Sequence, residues 1–523
     1  MQVIDEVALQ LQLPYSLTEA VIKNIEKSHK HQTSVLVNWE QSEAETLAAL
    51  IDAEQPNSAL PQIPSPMLRD YAWPGIYTPF EHQKTTASFL SLRGRAFCFN
   101  EAGTGKTSAA IWAADYLMNM KRVKRVLIVC PLSIMYSAWR DDVFKTAMHR
   151  SCAVAYGDKD KRLKVINGPY EFVIINYDGL NTVAQEVYNA QFDLIIIDEA
   201  NAYKTSTTKR WKTLSKLVLP STRLWMMTGT PASQSPVDAF GLARLISPWR
   251  VPKYVTAWRD RVMYPVTKFK WNPKPTAQKT VFAALQPAIR FTKAECLDLP
   301  SVTYQTREVP VTPQVAHYYR LLKKQFLIEA AGEQISAVNA AAGMSKLLQI
   351  SGGAVYTNNH NVIDFDIKPR LNALKEVLEE TTNKVVVFVP YLHTIHPITE
   401  FLHAEGYTND VIKGDVTAKN RADIIKNFQS HPDPKVLVIQ PQSASHGVTL
   451  TAADTVIFWS PVMSVETYMQ CVARIDRVGQ KNKMTVVHLE STETERRVYK
   501  MLQGKVDSHL SLVDLYKQEL NEV

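Results

Sequence analysis

The chain has 523 residues, a net charge of +8, 46% hydrophobic and 21% charged residues. That length predicts two to four domains with sizeable cores, and the composition excludes collagen-like and long disordered chains. No apolar run approaches the roughly 18 residues of a membrane span, the first twenty residues lack a secretory pattern, and the five cysteines (Cys98, Cys130, Cys152, Cys296, Cys471) are scattered without a CxxC pair. They read as small buried hydrophobes in a reducing interior.

In chain order, residues 1–70 hold 4 Lys/Arg against 10 Asp/Glu, an acidic accessory domain ill-suited to gripping phosphates. A proline-rich linker, Gln55–Pro66, closes it. Residues 71–248 read as a first α/β domain. Its non-alternating apolar runs are Ala96–Phe99, Val126–Cys130, Phe172–Asn176, Leu194–Asp198 and Leu224–Thr228, and Thr107–Met118 has a helical pattern. Residues 249–364 are an insertion region. Within it, 249–293 carry 10 Lys/Arg and one acidic residue, Asp260, interleaved with Trp249, Tyr254, Trp258, Tyr264, Phe269 and Trp271. This mixture suits nucleic acid and equally a solvated surface. Residues 313–350 read as helical, with Gln314, Tyr318, Leu321, Leu322 and Gln325 near helical spacing. A second α/β domain spans 365–500, with runs at Val385–Val389, Lys435–Gln440, Val456–Ser460 and Thr485–Leu489 and a helix around Arg421–Gln429. A helical tail, 501–523, ends the chain. Continuous apolar runs alternating with helices predict two helix-covered parallel sheets in series.

Four motifs carry chemistry. Asn100-Glu-Ala-Gly103-Thr104-Gly105-Lys106-Thr107 follows an apolar run and opens a helix, the setting of a phosphate loop. The glycines let backbone N–H groups approach phosphates, Lys106 supplies charge, and Thr107 offers a hydroxyl to Mg²⁺. Asn100 stands where the general pattern has its first glycine. Asp193-Leu-Ile-Ile-Ile-Asp198-Glu199-Ala-Asn201 places two carboxylates at a strand end, Asp198 for the metal and Glu199 for the attacking water. Leu224-Trp-Met-Met-Thr228-Gly229-Thr230-Pro231 ends a strand in hydroxyls suited to sensing a γ-phosphate. Gln470-Cys-Val-Ala-Arg474-Ile-Asp-Arg477-Val-Gly479-Gln480 puts two arginines three apart, on one face if helical, as finger candidates or a solvated basic face.

With these in order, the sequence resembles the SNF2-type branch of superfamily 2 ATPases, in a minimal bacterial or phage form, from about Tyr77 to Val498. The resemblance implies two tandem RecA-like domains, helical insertions between them, ATP and Mg²⁺ as cofactors, and ATP hydrolysis. It assigns Gln83, Gly103, Thr104, Gly105, Lys106, Thr107, Gly447 and Asp454 to the nucleotide, Thr107 and Asp198 to the metal, and Glu199, Arg474, Arg477 and Gln470 to catalysis. It assigns Leu132, Ser133, Trp139, Tyr177, Arg290, Lys293, Ser445 and Thr449 to DNA, and leaves His446 a structural or backbone contact. The chain departs from the family at Asn201, where a histidine is usual, at Ala444 and Ser445 in place of glycine, and at Ser460-Pro461 in place of Trp-Asn-Pro. The implied function is an ATP-driven translocase on double-stranded DNA, remodelling protein–DNA complexes or branched DNA, in the cytoplasm of a prokaryote or phage-infected host. A strand-separating or annealing helicase and an ATP-gated DNA-binding switch are the alternatives. A protein partner for residues 1–70 is left open.

Overall fold

The computed structural model describes residues 1–53, 62–229, 231–232, 235–266, 271–296, 300–332, 337–356, 362–444, 448–477 and 479–504. The chain divides into two units, Met1–Leu297 and Asp298–Val523. The stretch 249–364 therefore contributes to both.

The first unit is built on a seven-stranded parallel sheet. Its strand order is Ala288–Ile289, Arg95–Cys98, Arg223–Met227, Leu194–Asp198, Val126–Cys130, Phe172–Asn176, Cys152–Val154. The central strands are apolar on both faces because both are covered. Leu127, Val129, Ile195, Ile197, Leu224 and Met226 pack into one core, and their neighbours Ile128, Ile196, Trp225 and Met227 pack into the other. Cys98, Met227 and Asp198 are in register, so the loops after these three strands emerge side by side. The helix Lys106–Asn119 follows the first of those loops. Every residue from Ser108 to Met118 is buried, which explains its alanines and the absence of a polar face. Cys98, Cys130 and Cys471 are buried free thiols, and burial raises each, Cys98 to about 11, so they stay neutral core groups.

The acidic N-terminal segment forms an antiparallel sheet in the order Gln2–Ile4, Ala8–Leu11, Ser34–Asn38, Ser28–His31. Leu9, Leu11, Val35 and Val37 pack there with Val21 and Leu47 of the helices Tyr15–Asn24 and Gln41–Ala53. Two of its carboxylates pair with arginines of the basic body. Asp52 takes a two-pronged bond from Arg93 at 2.8 and 3.0 Å, and Glu45 meets Arg122 at 3.2 Å and Arg223 at 3.0 Å.

The second unit has a six-stranded parallel sheet in the order Val302–Glu308, Met484–Glu490, Ala453–Phe458, Lys384–Phe388, Val436–Ile439, Asn409–Ile412. The helices Pro313–Gly332 and Ala337–Gly352 occupy the region expected to be helical. Val315 is the buried residue of the first helix's opening turns, whereas Tyr318 and Leu321 are exposed, so the inward face is rotated from the one expected. At the carboxyl end of this sheet Arg370 is buried against Glu495, donating to both carboxylate oxygens at 2.7 Å, and also donates to the carbonyls of Trp459 and Leu489. Both units are helix-covered parallel α/β sheets, the two tandem RecA-like domains of the expected fold. No helix among the described residues is long and apolar enough to cross a membrane.

Candidate active site

In the first unit the candidate groups gather where the strands end. Gly103 and Gly105 have φ of +90° and +78°, a region that side-chain-bearing residues avoid. A Cβ on Gly105 would also lie 1.9 Å from Gln83 Nε2, so a side chain there would push the Gln83 amide off the loop. Gln83 takes the Phe80 N–H on Oε1 at 2.9 Å and sets Nε2 against the carbonyls of Thr104 and Gly105 at 3.4 and 3.5 Å. His82 braces the same loop: its Nε2 lies 2.8 Å from the Thr104 carbonyl, so that nitrogen carries the proton. The family pattern marks Gln83 and gives its neighbour His82 no role. Thr104 is buried and donates to the Glu101 carbonyl at 2.8 Å, and Lys106 Nζ rests 3.3 Å from the same carbonyl. Lys106 and Thr107 open the helix, where unpaired N–H groups and the helix dipole favour an anion.

Asp198 ends its strand almost buried. Its Oδ2 accepts the Trp139 indole N–H at 2.9 Å and its Oδ1 accepts the Glu199 N–H at 3.0 Å. Glu199 adopts left-handed backbone, φ +49°, a conformation costing roughly 1–3 kcal/mol that persists where the surroundings enforce it. Tyr177 helps enforce it, its hydroxyl donating to the carbonyls of Asp198 at 2.5 Å and Glu199 at 3.3 Å. Burial first, then Asp198 and Glu199, push the Tyr177 hydroxyl well above its ordinary pKa, so it remains a donor. The third motif reaches the same place: Thr228 is fully buried, its N–H donates to the Cys98 carbonyl at 3.0 Å, and a Cβ on Gly229 would lie 3.2 Å from the Ala102 nitrogen. Thr230 lies outside the described residues.

One DNA assignment is corrected here. Trp139 has no exposed surface, and its indole N–H faces Asp198, so it orients the carboxylate. The Tyr177 hydroxyl is turned under the Asp198–Glu199 turn and supports that strained backbone. Leu132 is exposed just past the strand Val126–Cys130, with Ser133 beside it in a short 3₁₀ turn. Arg290 and Lys293 flank the phosphate loop: Arg290 lies 3.8 Å from Glu101, and the Lys293 N–H donates to Glu101 Oε2 at 3.0 Å. In the basic stretch Trp258 is fully buried and Trp271 lies under Arg259 at 4.2 Å, while Trp249 and Tyr254 are 69% and 62% exposed. Phe269 lies outside the described residues.

The second unit holds its candidates before its strands. The helix expected to carry Arg474 and Arg477 stops at Val472, and both arginines lie in the following turn. The turn is held from outside by the Leu450 N–H, which donates to the Arg474 carbonyl at 2.9 Å. The two guanidinium groups still converge, Arg474 at 3.4 Å and Arg477 at 3.2 Å from the Val448 carbonyl, and Arg474 Nε donates to the Gln470 carbonyl at 2.8 Å. Gln470 is buried, its Nε2 3.5 Å from Glu466. Gln480 locks the turn, donating to the Ala453 carbonyl at 2.8 Å and accepting the N–H of Lys481 and Asn482 at 3.0 Å. Asp454 bonds to Asn383 and Thr455, tying the starts of two strands together. Thr449 is half-buried. Ser445, His446 and Gly447 lie outside the described residues.

The groups present fit ATP and Mg²⁺. The left-handed glycines and the helix opening at Lys106 present backbone N–H groups to a phosphate, and Thr107 and Asp198 offer the hard oxygens magnesium prefers. No cluster of three or more His, Cys, Asp or Glu suited to a metal occurs among the described residues, and magnesium needs only one or two protein oxygens beside phosphate.

Comparison with known proteins agrees with this arrangement. A family model described as an SNF2-related domain matches residues 82–361, more than half of the chain, and one described as a helicase conserved C-terminal domain matches residues 369–479. A protein of Acyrthosiphon pisum secondary endosymbiont phage 1 is 24% identical over 443 residues, covering 80% of this chain and 94% of the relative. The Mus musculus protein named chromodomain-helicase-DNA-binding protein 1-like is 24% identical over 440 residues, covering 78% of this chain and 46% of its own length. An uncharacterized ATP-dependent helicase of Mycoplasma genitalium is 24% identical over 413 residues, covering 78% and 39%. The chain thus spans nearly all of the phage relative and less than half of the other two. It belongs to the SNF2-related family and is an ATP-hydrolysing enzyme built on the helicase core.

Proposed function

We propose that the chain is an ATP-driven translocase on double-stranded DNA that remodels protein–DNA complexes or branched DNA. One observation carries this reading. The loop Gly103–Thr107, Gln83, the Asp198–Glu199 pair and Thr228 converge at the aligned ends of neighbouring strands, in a chain whose last motif, Arg474-x-x-Arg477-x-Gly479-Gln480, has the SNF2 form. The name of the mouse relative, a helicase and DNA-binding protein, supports DNA as the partner.

The loop N–H groups and Lys106 hold the phosphates, with Thr107 and Asp198 as metal ligands. Bound Mg²⁺ would neutralise phosphate charge there. Glu199, fixed by Tyr177, orients the attacking water and takes its proton. Arg474 and Arg477 would stabilise the charge that builds on the γ-phosphate. Leu132, Arg290, Lys293, Trp249 and Tyr254 are the candidate DNA contacts. Backbone contacts carry little sequence information, so activity on arbitrary sequence follows, and cytoplasmic DNA is the natural substrate.

The test is displacement of a third strand from triplex DNA. The wild-type chain should displace it only with ATP, and Glu199→Gln should not displace it at all. A wild-type chain that hydrolyses ATP on DNA yet never displaces the third strand contradicts translocation.

A further inference from the structure

The phosphate loop is tied to one neighbouring segment by more than the sheet requires. The strand Arg95–Cys98 pairs with the edge strand Ala288–Ile289. That ladder runs on into the loop: the Phe97 N–H donates to Pro287, Phe99 to Ile289 and Glu101 to Phe291, at 2.9, 2.8 and 3.0 Å. Beyond Ile289 two of the edge segment's own N–H groups are taken up by side chains of the loop. Asn100 Oδ1 accepts the Phe291 N–H at 3.0 Å, and Glu101 Oε2 accepts the Lys293 N–H at 3.0 Å. Asn100, only 1% exposed, also donates through Nδ2 to Thr86 Oγ1 at 2.8 Å, and Thr86 donates to the His82 carbonyl at 2.7 Å. Asn100 stands where the general loop pattern has glycine, a residue that could make neither bond. Four residues after Lys293 the chain crosses from the first unit to the second, at Leu297–Asp298.

We infer that Asn100 and Glu101 are positioning residues that latch the nucleotide loop to segment 288–293. A change in the loop on nucleotide binding then reaches Arg290 and Lys293 and the crossing into the second unit. The bonds run from loop side chains to backbone N–H groups, so they follow backbone movement whatever side chains the segment carries. The latch rests on the proposed reading that DNA accelerates ATP hydrolysis, and its test has an arm independent of DNA.

Two pairs of variants separate latch from bulk. Glu101→Gln keeps an oxygen acceptor for the Lys293 N–H and Glu101→Ala does not. Asn100→Asp keeps the acceptor for Phe291 and Asn100→Gly does not. In Glu101→Ala and Asn100→Gly the ratio of DNA-stimulated to basal turnover should fall by about tenfold, within the usual range of coupling between sites, with KM for ATP shifting less than about twofold. Glu101→Gln and Asn100→Asp should recover most of the ratio. Equal losses in the conservative and truncating variants, or an unchanged ratio in all four, overturn the latch. Amide exchange of the wild-type chain without DNA provides the second arm. A non-hydrolysable ATP analogue should change protection at Phe291 and Lys293, and identical exchange across 288–296 with and without the analogue overturns the proposal even if every variant misfolds. If DNA fails to accelerate the wild-type ATPase, the translocase reading falls while the exchange arm still decides the latch.

Discussion

In the first unit the candidate residues follow their strands: the phosphate loop comes after Arg95–Cys98, Glu199 after Leu194–Asp198, and Thr228 after Arg223–Met227. In the second unit they precede theirs: Val448 comes before Ala453–Phe458, and Arg474, Arg477 and Gln480 before Met484–Glu490. Parallel sheets ordinarily present ligand sites at their carboxyl ends, and the first sheet obeys. The carboxyl end of the second is filled by Arg370 and Glu495, which cross-link Trp459, Leu489 and Ser491. One sheet plan therefore serves two tasks. The first unit fixes a carboxylate at a rigid strand end and a lysine at the opening of a helix, and the second fills its own carboxyl edge and carries its arginines in a turn at its amino edge.

The largest effect should come from that turn. Arg477→Ala should lower turnover by about 10³-fold with a much smaller change in ATP affinity, and Arg477→Lys should rescue poorly because lysine lacks the planar fork. Arg474→Ala should match it in turnover and also lose stability, since Arg474 is 5% exposed and bonded to Gln470. Wild-type turnover in both would mean that the amino edge of the second sheet carries no chemistry. On the first sheet, Glu199→Gln should lower turnover by about 10²-fold while still binding ATP, whereas Lys106→Ala should lose binding as well. Equal loss of affinity and rate in Glu199→Gln would remove the distinction drawn between the loop and the carboxylate.

The closed edge is tested by stability. Arg370→Met or Glu495→Gln alone should cost about 3–5 kcal/mol in urea unfolding, and the double variant should regain much of it, because a lone buried charge costs more than none. A smaller change is expected from Tyr177→Phe. Two buried carbonyls lose a donor worth roughly 1–3 kcal/mol, so turnover should fall about tenfold at similar KM. The smallest effect belongs to the basic stretch: Trp249→Ala, Tyr254→Ala and Lys253→Ala, whose ammonium lies 5.4 Å from the centre of the Tyr254 ring, should each weaken DNA affinity modestly, with Lys253→Ala flattening its salt dependence by about one contact.

Much of this was readable before the fold was known, and the residues show why. Buried central strands must be apolar on both faces, so Val126–Cys130 and Leu194–Asp198 announce themselves. Gly103, Gly105 and Lys106 are dictated by backbone approach to phosphate. Edge strands send no such signal: Val302–Glu308 is mostly exposed, and Ala288–Ile289 is two residues long. The end of the helix at Val472 was hidden because no glycine or proline marks it, and the turn is held by Leu450, which lies 24 positions before Arg474. The resemblance assigns Trp139 to DNA because its distance along the chain from Asp198 conceals their hydrogen bond. The acidic charge of residues 1–70 was visible, but its partners Arg93, Arg122 and Arg223 were not, since tertiary packing alone brings them together.

The most direct test of the account is the rate of ATP hydrolysis with duplex DNA, single-stranded DNA, forked DNA and RNA at two salt concentrations. Duplex of arbitrary sequence should stimulate most, and the stimulation should fall steeply as salt rises, because each phosphate contact releases counterions. Stimulation by RNA or single strands with none by duplex, or a rate indifferent to every nucleic acid, would contradict a motor that works on double-stranded DNA.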